Sequence, residues 1–242
     1  MALPASWWKR LFIHGRVRSE MNLRTEYERW KKGLRALRLY RQCVKPGSLC
    51  FDIGANKGSR SVIFTALGAR TIALEPNEAL TRMLQRFPRV TVLNKAVSDQ
   101  SGTKVFLQNT NDQISTLSSE WKSKWPQYAE WTERRVECTT LDDLISSYGL
   151  PDFCKIDVEG YEPAVLRGLS QPIPLLSFEA TPDFRNHVEE CVSRLASLGT
   201  YEFNFSIGDE FAFTRATWVN SKNAADLVSD AGDVYARWLR SA

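Results

Sequence analysis

The chain has 242 residues, 43% of them hydrophobic, and a formal net charge of +4, which fits one α/β domain with a core of its own. No stretch approaches the roughly 18 apolar residues of a membrane span. Five cysteines without a C-x-x-C pair, and only two histidines, leave almost nothing from which to build a structural zinc site; reduced thiols in a cytoplasmic protein are the plainer reading.

Charge divides the chain into two parts. Residues 1–45 carry twelve Lys/Arg against three Glu, net +9, which leaves −5 for residues 46–242. The first part is a basic amphipathic helical extension, the second the body of the protein. Within residues 1–20, Trp7, Trp8, Leu11, Phe12 and Ile13 interleave with Lys9, Arg10, Arg16 and Arg18. Two readings fit: a segment resting on an anionic membrane or a partner, and a helix whose aromatic face packs on the body. The charges directly after Trp7-Trp8 speak against a secretory signal. Leu23, Tyr27, Trp30, Leu34, Leu37 and Val44 recur at helical steps and predict a helix over residues 22–44 that covers the start of a sheet.

A buried strand, Leu49 to Ile53, then runs into a glycine-rich turn and a helix from Ser59 to Leu67. Gly54 and Gly58 suit a backbone that turns sharply, and Asn56 is among the few other residues that tolerate left-handed dihedrals. A dinucleotide fingerprint would read G-x-G-x-x-G. Here Asn56 and Ser59 stand at its second and third glycines, which disfavours a nicotinamide-dependent oxidoreductase. Asp52, on the strand before the turn, would repel a pyrophosphate and suits an amino group. The next strand, Thr71 to Leu74, ends in Glu75-Pro76-Asn77. Glu75 stands where an acidic residue grips a ribose hydroxyl pair. A nucleoside site without a phosphate cradle fits S-adenosylmethionine, which has an adenosine, an ammonium and a carboxylate. Asp52, Gly54, Ala55, Asn56, Gly58, Glu75 and Pro76 are therefore candidate binding residues.

A helix over 77–87 and a third strand over 90–97 follow, with Ala96 and Ser98 at its end as further candidates beside an adenine. Strands at 104–108 and 134–138 bracket an insert, residues 109–133, that reads as a substrate lid. Its Trp121, Trp125, Tyr128 and Trp131 would wall a sugar or flat ligand; Trp121, Trp125 and Tyr128 also fall at helical spacing and would anchor a short helix that Pro126 interrupts, and the two readings are compatible. Thr140 caps a helix to Tyr148. A fourth strand, Phe153 to Val158, leads to Asp157 and Glu159, which strand alternation puts on one side. Glu162 extends this acidic group. Glu179 follows a fifth strand over 174–178, and His187 lies on a helix over 183–199. Residues 201–206 and 211–217 read as a closing antiparallel hairpin around Gly208-Asp209.

The stretches FDIGANKG (51–58), ALEPN (73–77), TLDDL (140–144) and KIDVEGYEPAVLRG (155–168) resemble the FkbM family of S-adenosylmethionine-dependent methyltransferases, in family order across residues 45–180. QISTLSSEW (113–121) is similar to that family's serine-rich stretch. The resemblance implies a class I, Rossmann-like α/β fold: a seven-stranded, mostly parallel sheet with a terminal antiparallel hairpin. It also implies O-methylation of a hydroxyl on a small molecule or glycan. Asp157 and Glu159 are the catalytic candidates, as base or as oxygen ligands of a divalent ion, with Glu179 a third. In the other reading Asp157 holds the donor's ammonium or a loop and Glu159 caps the next helix. A lone helical histidine makes His187 the weaker base. Nucleic-acid binding or RNA modification through the basic extension is the reading from another class, and predicts steeply salt-dependent RNA binding.

Overall fold

A computed structural model describes residues 23–128 and 130–239, so residues 1–20, with both readings of them, lie outside the described residues. Helix α1 spans Leu23–Cys43. Its second half is anchored by Ala36, Leu39, Tyr40 and Cys43, all buried, whereas Tyr27 and Trp30 are 53% and 47% exposed and stack on each other. The helical period therefore marks the core face only from Ala36 onward. The elements then alternate: β1 (Leu49–Ile53), α2 (Ser59–Ala66), β2 (Arg70–Leu74), α3 (Glu78–Leu84), β3 (Val90–Leu93), β4 (Ala96–Val97), β5 (Gly102–Asn109), α4 (Ser119–Lys124), β6 (Trp131–Thr139) and α5 (Leu141–Tyr148). The last part holds β7 (Phe153–Ile156), α6 (Glu162–Arg167), β8 (Leu175–Ala180), α7 (Arg185–Leu198), β9 (Tyr201–Ile207), β10 (Val219–Asn220) and β11 (Gly232–Trp238).

Eight strands form the main sheet in the order β10-β9-β11-β8-β7-β1-β2-β3. Parallel pairing joins β8, β7, β1, β2 and β3, and β11 lies antiparallel between β8 and β9. Strand order reverses between β1 and β7, the switch point at which open α/β sheets bind ligands. This is the mostly parallel, Rossmann-like sheet expected, with the short β10 added at one edge. No helix of the described residues is long and apolar enough to cross a membrane.

Three expectations are corrected. The third strand breaks after Leu93, because the Asn94 amide turns back to donate to the Glu75 and Pro76 carbonyls and to Thr81; Ala96–Val97 leaves the main sheet and pairs with β6. The partner of β9 is not residues 211–217 but β11. Phe211 and Phe213 are apolar because they pack on the cluster under α1, and Asn204 holds Arg215 through both backbone groups in a loop. Finally, β7 stops at Ile156 and β8 runs on to Ala180. Asp157 and Glu159 thus lie in a loop, while Glu179 lies inside a strand opposite Asp233.

The sheet face under α1 changes character along each central strand. Near one end Cys50, Phe153 and Tyr235 join the aromatic cluster of Tyr40, Phe64 and Phe211. Two residues along, on the same face by strand alternation, stand Asp52, Lys155 and Asp233. Asp52 and Lys155 stand opposite each other in the β1–β7 register, while Asp233, opposite Glu179 in the β11–β8 register, reaches the Lys155 ammonium from one rung further along. The oily half and the charged half of this one surface are thus set by positions two apart on the same strands: Cys50 and Asp52, Phe153 and Lys155, Tyr235 and Asp233.

Candidate active site

The charged half forms the floor of a cavity of about 550 Å³ at the carboxyl ends of β1, β2, β7 and β8. Its first wall is the β1–α2 loop. Gly54, Asn56 and Gly58 all have positive φ, at 76°, 49° and 80°, the conformation for which glycine and asparagine were singled out. The two glycines serve different ends. A Cβ on Gly54 would lie 1.8 Å from the Asp157 carbonyl oxygen, so this glycine lets the β1 and β7 loops meet. One on Gly58 would strike Leu84, so that glycine seats α3 on the loop.

Glu75 organises the loop from the neighbouring strand. Its carboxylate accepts from the backbone N–H of Asn56 at 2.9 Å and of Asn77 at 2.8 Å, each oxygen keeping a free lone pair. Burial pushes its carboxyl up to about 7, against the pull of those donors. Asp52 accepts from the Ser61 hydroxyl, and burial raises its carboxyl too.

The second wall is the β7–α6 loop. Glu159 and Gly160 both have positive φ, at 56° and 81°, a turn that brings the Asp157, Glu159 and Glu179 carboxylates within 4.8 Å of one another. They share a side, as predicted, through loop geometry rather than strand alternation. Beneath them lies Lys155, 1% exposed, its ammonium 3.0 Å from Asp157 and 2.8 Å from Asp233. Burial alone would lower the lysine's proton affinity; Asp157 and Asp233 outweigh it and hold the charge in place. Burial first, and then the crowding of like charges, raises the proton affinity of Glu159 and Glu179 well above the carboxylate norm. Glu162 does not face the cavity. It accepts from the Val158 N–H, and burial pushes it up to about 7.

The insert divides by chemistry. Asp112, Gln113, Ser115, Thr116 and Leu117 line the cavity. Asp112 binds the Lys57 ammonium and accepts from the Asn56 side chain, while the Thr116 hydroxyl donates to the Glu159 carbonyl at 2.7 Å. The aromatic residues face elsewhere. Trp121 packs on Gly160, where a Cβ would come within 2.6 Å of it, and stacks on Phe184 with Trp125 edge-on. Trp121 and Trp125 anchor α4, and none of the four aromatics lines this cavity. His187 lies on the far side of this cluster, 3.1 Å from Glu120, outside the main cavity.

Ten of the residues singled out from sequence line this one cavity: Asp52, Gly54, Ala55, Asn56, Glu75, Pro76, Ala96, Asp157, Glu159 and Glu179. Gly58 and Ser98 do not; the Ser98 hydroxyl is buried behind the wall, donating to Asp99 at 2.8 Å. Sequence reasoning missed Lys155, Asp233 and Arg60. A lysine two residues before Asp157 was the available signal for Lys155.

The donor set fits an adenosyl amino acid. Glu75 and Pro76 stand beside apolar Leu74, Ala96 and Val97, carboxylates suited to an ammonium lie at the switch point, and the loop amides are spent on Leu74, Glu75 and Asn56 itself rather than on a phosphate. Asp157, Glu159 and Glu179 are also an oxygen-only set of the kind hard divalent cations use.

The shifts of Glu75 and Glu162 have a consequence for the empty protein. Both folded-state values lie near 7, above the 4.5 of a free glutamate, so the native state holds these protons more tightly than the unfolded chain. Their contribution to stability is full below about pH 4.5 and is lost as pH rises through about 7. The melting temperature of the ligand-free protein is expected to fall across that window, and the fall to shrink in Glu75→Gln. Differential scanning calorimetry at stepped pH checks both.

Comparisons with known proteins bear on the same residues. No match to a curated protein was found. Among solved structures, magnesium protoporphyrin IX methyltransferase (ChlM) from Synechocystis PCC 6803 is 14% identical, with 97% of this chain and 90% of that one covered and a TM-score of 0.46. A SAM-dependent O-methyltransferase from Thermotoga maritima is 12% identical, covering 98% and 72%, TM-score 0.43. Precorrin-6y C5,15-methyltransferase from Geobacter metallireducens GS-15 is 14% identical, covering 92% and 94%, TM-score 0.42. The family model of the methyltransferase FkbM domain matches residues 52–199, from the buried aspartate of β1 past the whole acidic loop. The match takes in both the glycine turn and the carboxylates of the β7 loop, and this chain belongs to the FkbM family of S-adenosylmethionine-dependent methyltransferases.

Proposed function

We propose that the acceptor is a hydroxyl on a small molecule or glycan and that Glu159 and Glu179 take its proton. One observation carries this reading: three carboxylates meet at the cavity, and two of them hold protons more tightly than an ordinary carboxylate. S-adenosylmethionine supplies, when bound, an electrophilic methyl group on a sulfonium. An alcohol that attacks such a carbon must shed a proton, and a carboxylate with raised proton affinity accepts it better than an unperturbed one. Asp157, tied to Lys155, offers a fixed negative charge beside them. Polar Gln113, Ser115 and Thr116 at the rim suit a hydroxylated ligand better than a flat aromatic one. On the donor side, Glu75 uses its free lone pairs for the ribose hydroxyls. The insert then acts as the lid on the acceptor.

Labelled methyl transfer to a panel of mono-, oligosaccharides and phenols tests the acceptor class. The product is expected to be a base-stable ether, formed faster as pH rises. Glu179→Gln should lower the rate by roughly 10²–10⁴, the usual worth of a positioned base, with donor affinity unchanged. Label recovered only as a base-labile ester or on nitrogen would overturn the hydroxyl reading. Glu75→Gln should weaken adenosine-containing ligands roughly tenfold to a hundredfold, from the ~1.5–3 kcal/mol of hydrogen bonds to a charged acceptor. Unchanged affinity in titration calorimetry would remove Glu75 from the ribose.

A further inference from the structure

Arg60 is a cation on the cavity wall that the proposed chemistry leaves unused. The other lining cations have acidic partners: Lys32 pairs with Asp209, Lys57 with Asp112 and Lys95 with Glu137. Among the described residues, no carboxylate oxygen lies within 4.0 Å of the Arg60 guanidinium. Of the acids that act on it from farther away, Asp157 and Asp233 are engaged by Lys155 and Asp52 accepts from the Ser61 hydroxyl. Its Nε is buried without a hydrogen-bond partner, an arrangement that native proteins avoid.

Two more features of the sequence raise the positive potential there. Arg60 is in the first turn of α2, which contains no acidic residue and is capped by Gly58 without a side-chain hydrogen bond. A basic residue at the positive end of a helix runs against the macrodipole. The guanidinium meanwhile packs on rings, 4.8 Å from Phe211 and 6.0 Å from Tyr40, contacts that leave its N–H donors unspent. An unpaired, oriented arginine with an orphaned donor in a ligand cavity is a site built for a carboxylate.

The donor carries such a group. Its amino-acid tail is a zwitterion, and the acids at the switch point account only for its ammonium. We propose that Arg60 receives the α-carboxylate of the donor's amino-acid tail, making it the group that tells S-adenosylmethionine and its product from tail-less nucleosides. This rests on the methyl donor of the family, and not on the identity of the acceptor.

Calorimetric titration of the full chain with three probes tests it: S-adenosylhomocysteine, its carboxylate-free analogue S-adenosyl-3-thiopropylamine, and 5′-methylthioadenosine. Wild type should bind S-adenosylhomocysteine at least about tenfold more tightly than the carboxylate-free analogue, the scale of a charge-assisted bidentate contact. Arg60→Met should erase that difference and leave the other two probes within about twofold, and Arg60→Lys should restore part of it. Arg60→Gln serves if the methionine variant does not fold. An equal loss for all three probes would make Arg60 structural and overturn the proposal, as would no loss for any. A wild-type protein that binds none of the three would instead overturn the donor assignment itself.

Discussion

Replacing Lys155 by methionine is expected to destabilise the protein by about 3–5 kcal/mol, the cost of leaving a buried partner charge uncompensated. Lys155 is 1% exposed and neutralises two carboxylates, of which Asp233 is itself mostly buried. Without the ammonium, Asp157 and Asp233 face each other's charge across the space a methionine cannot fill with a donor. The cost is that of stranded negative charge, so the loss should be greatest at high pH and shrink in acid, where carboxylates are neutralised. Urea unfolding at two pH values reads this directly. The double variant Lys155→Met/Asp233→Asn should recover part of the stability, because it removes the more buried of the two stranded charges. An unaltered midpoint in the single variant would mean that the ion pairs contribute nothing to the folded state. A fall in donor affinity is expected alongside, since Asp157 loses the contact that fixes it.

Alanine at Gly54 should be the most damaging small change in the cavity. The added carbon would stand 1.8 Å from the Asp157 carbonyl oxygen and 2.8 Å from its carbon, at a φ of 76°. Neither neighbour is a flexible side-chain end; both are backbone. The β1 and β7 loops must therefore separate, and the carboxylates beyond Asp157 move with them. Displacements of about 1 Å in a site of this kind cost on the order of 100-fold in rate, so methyl transfer should fall at least that far. Gly58→Ala should do less harm at the site, because the atom it meets is the end of the Leu84 side chain. Parallel rate and affinity measurements on the two variants separate them; equal effects would show that loop approach is not what Gly54 provides.

Much of this site was legible in the chain, for identifiable reasons. Gly54, Asn56 and Gly58 announce a left-handed turn whatever surrounds them, since few other residues adopt it. Glu75 follows from its distance along a repeating β-α unit. Asp157 and Glu159 stood out because acids at a strand's end rarely lack a task. Lys155 was easily passed over because a single lysine between Cys154 and Ile156 reads as the polar half of an alternating strand, and only the folded sheet brings Asp52 and Asp233 beside it. Arg60 looks like any solvated helix residue until Phe211, 151 positions away, is seen on its guanidinium. The misplaced hairpin has the same root: residues 211–218 are rich in aromatic side chains, as strands are, but theirs serve the packing of α1.

The place of β11 sets a timetable for manufacture on the ribosome. This strand, the last of the described chain, slots between β8 and β9 and delivers Asp233 to Lys155. Until residues 232–238 have emerged, two older strands have no neighbour to hold them together and a lysine waits without one of its counter-ions. A chain cut short at residue 231 lacks that strand and should be cleared by proteases rather than accumulate as a partially working enzyme.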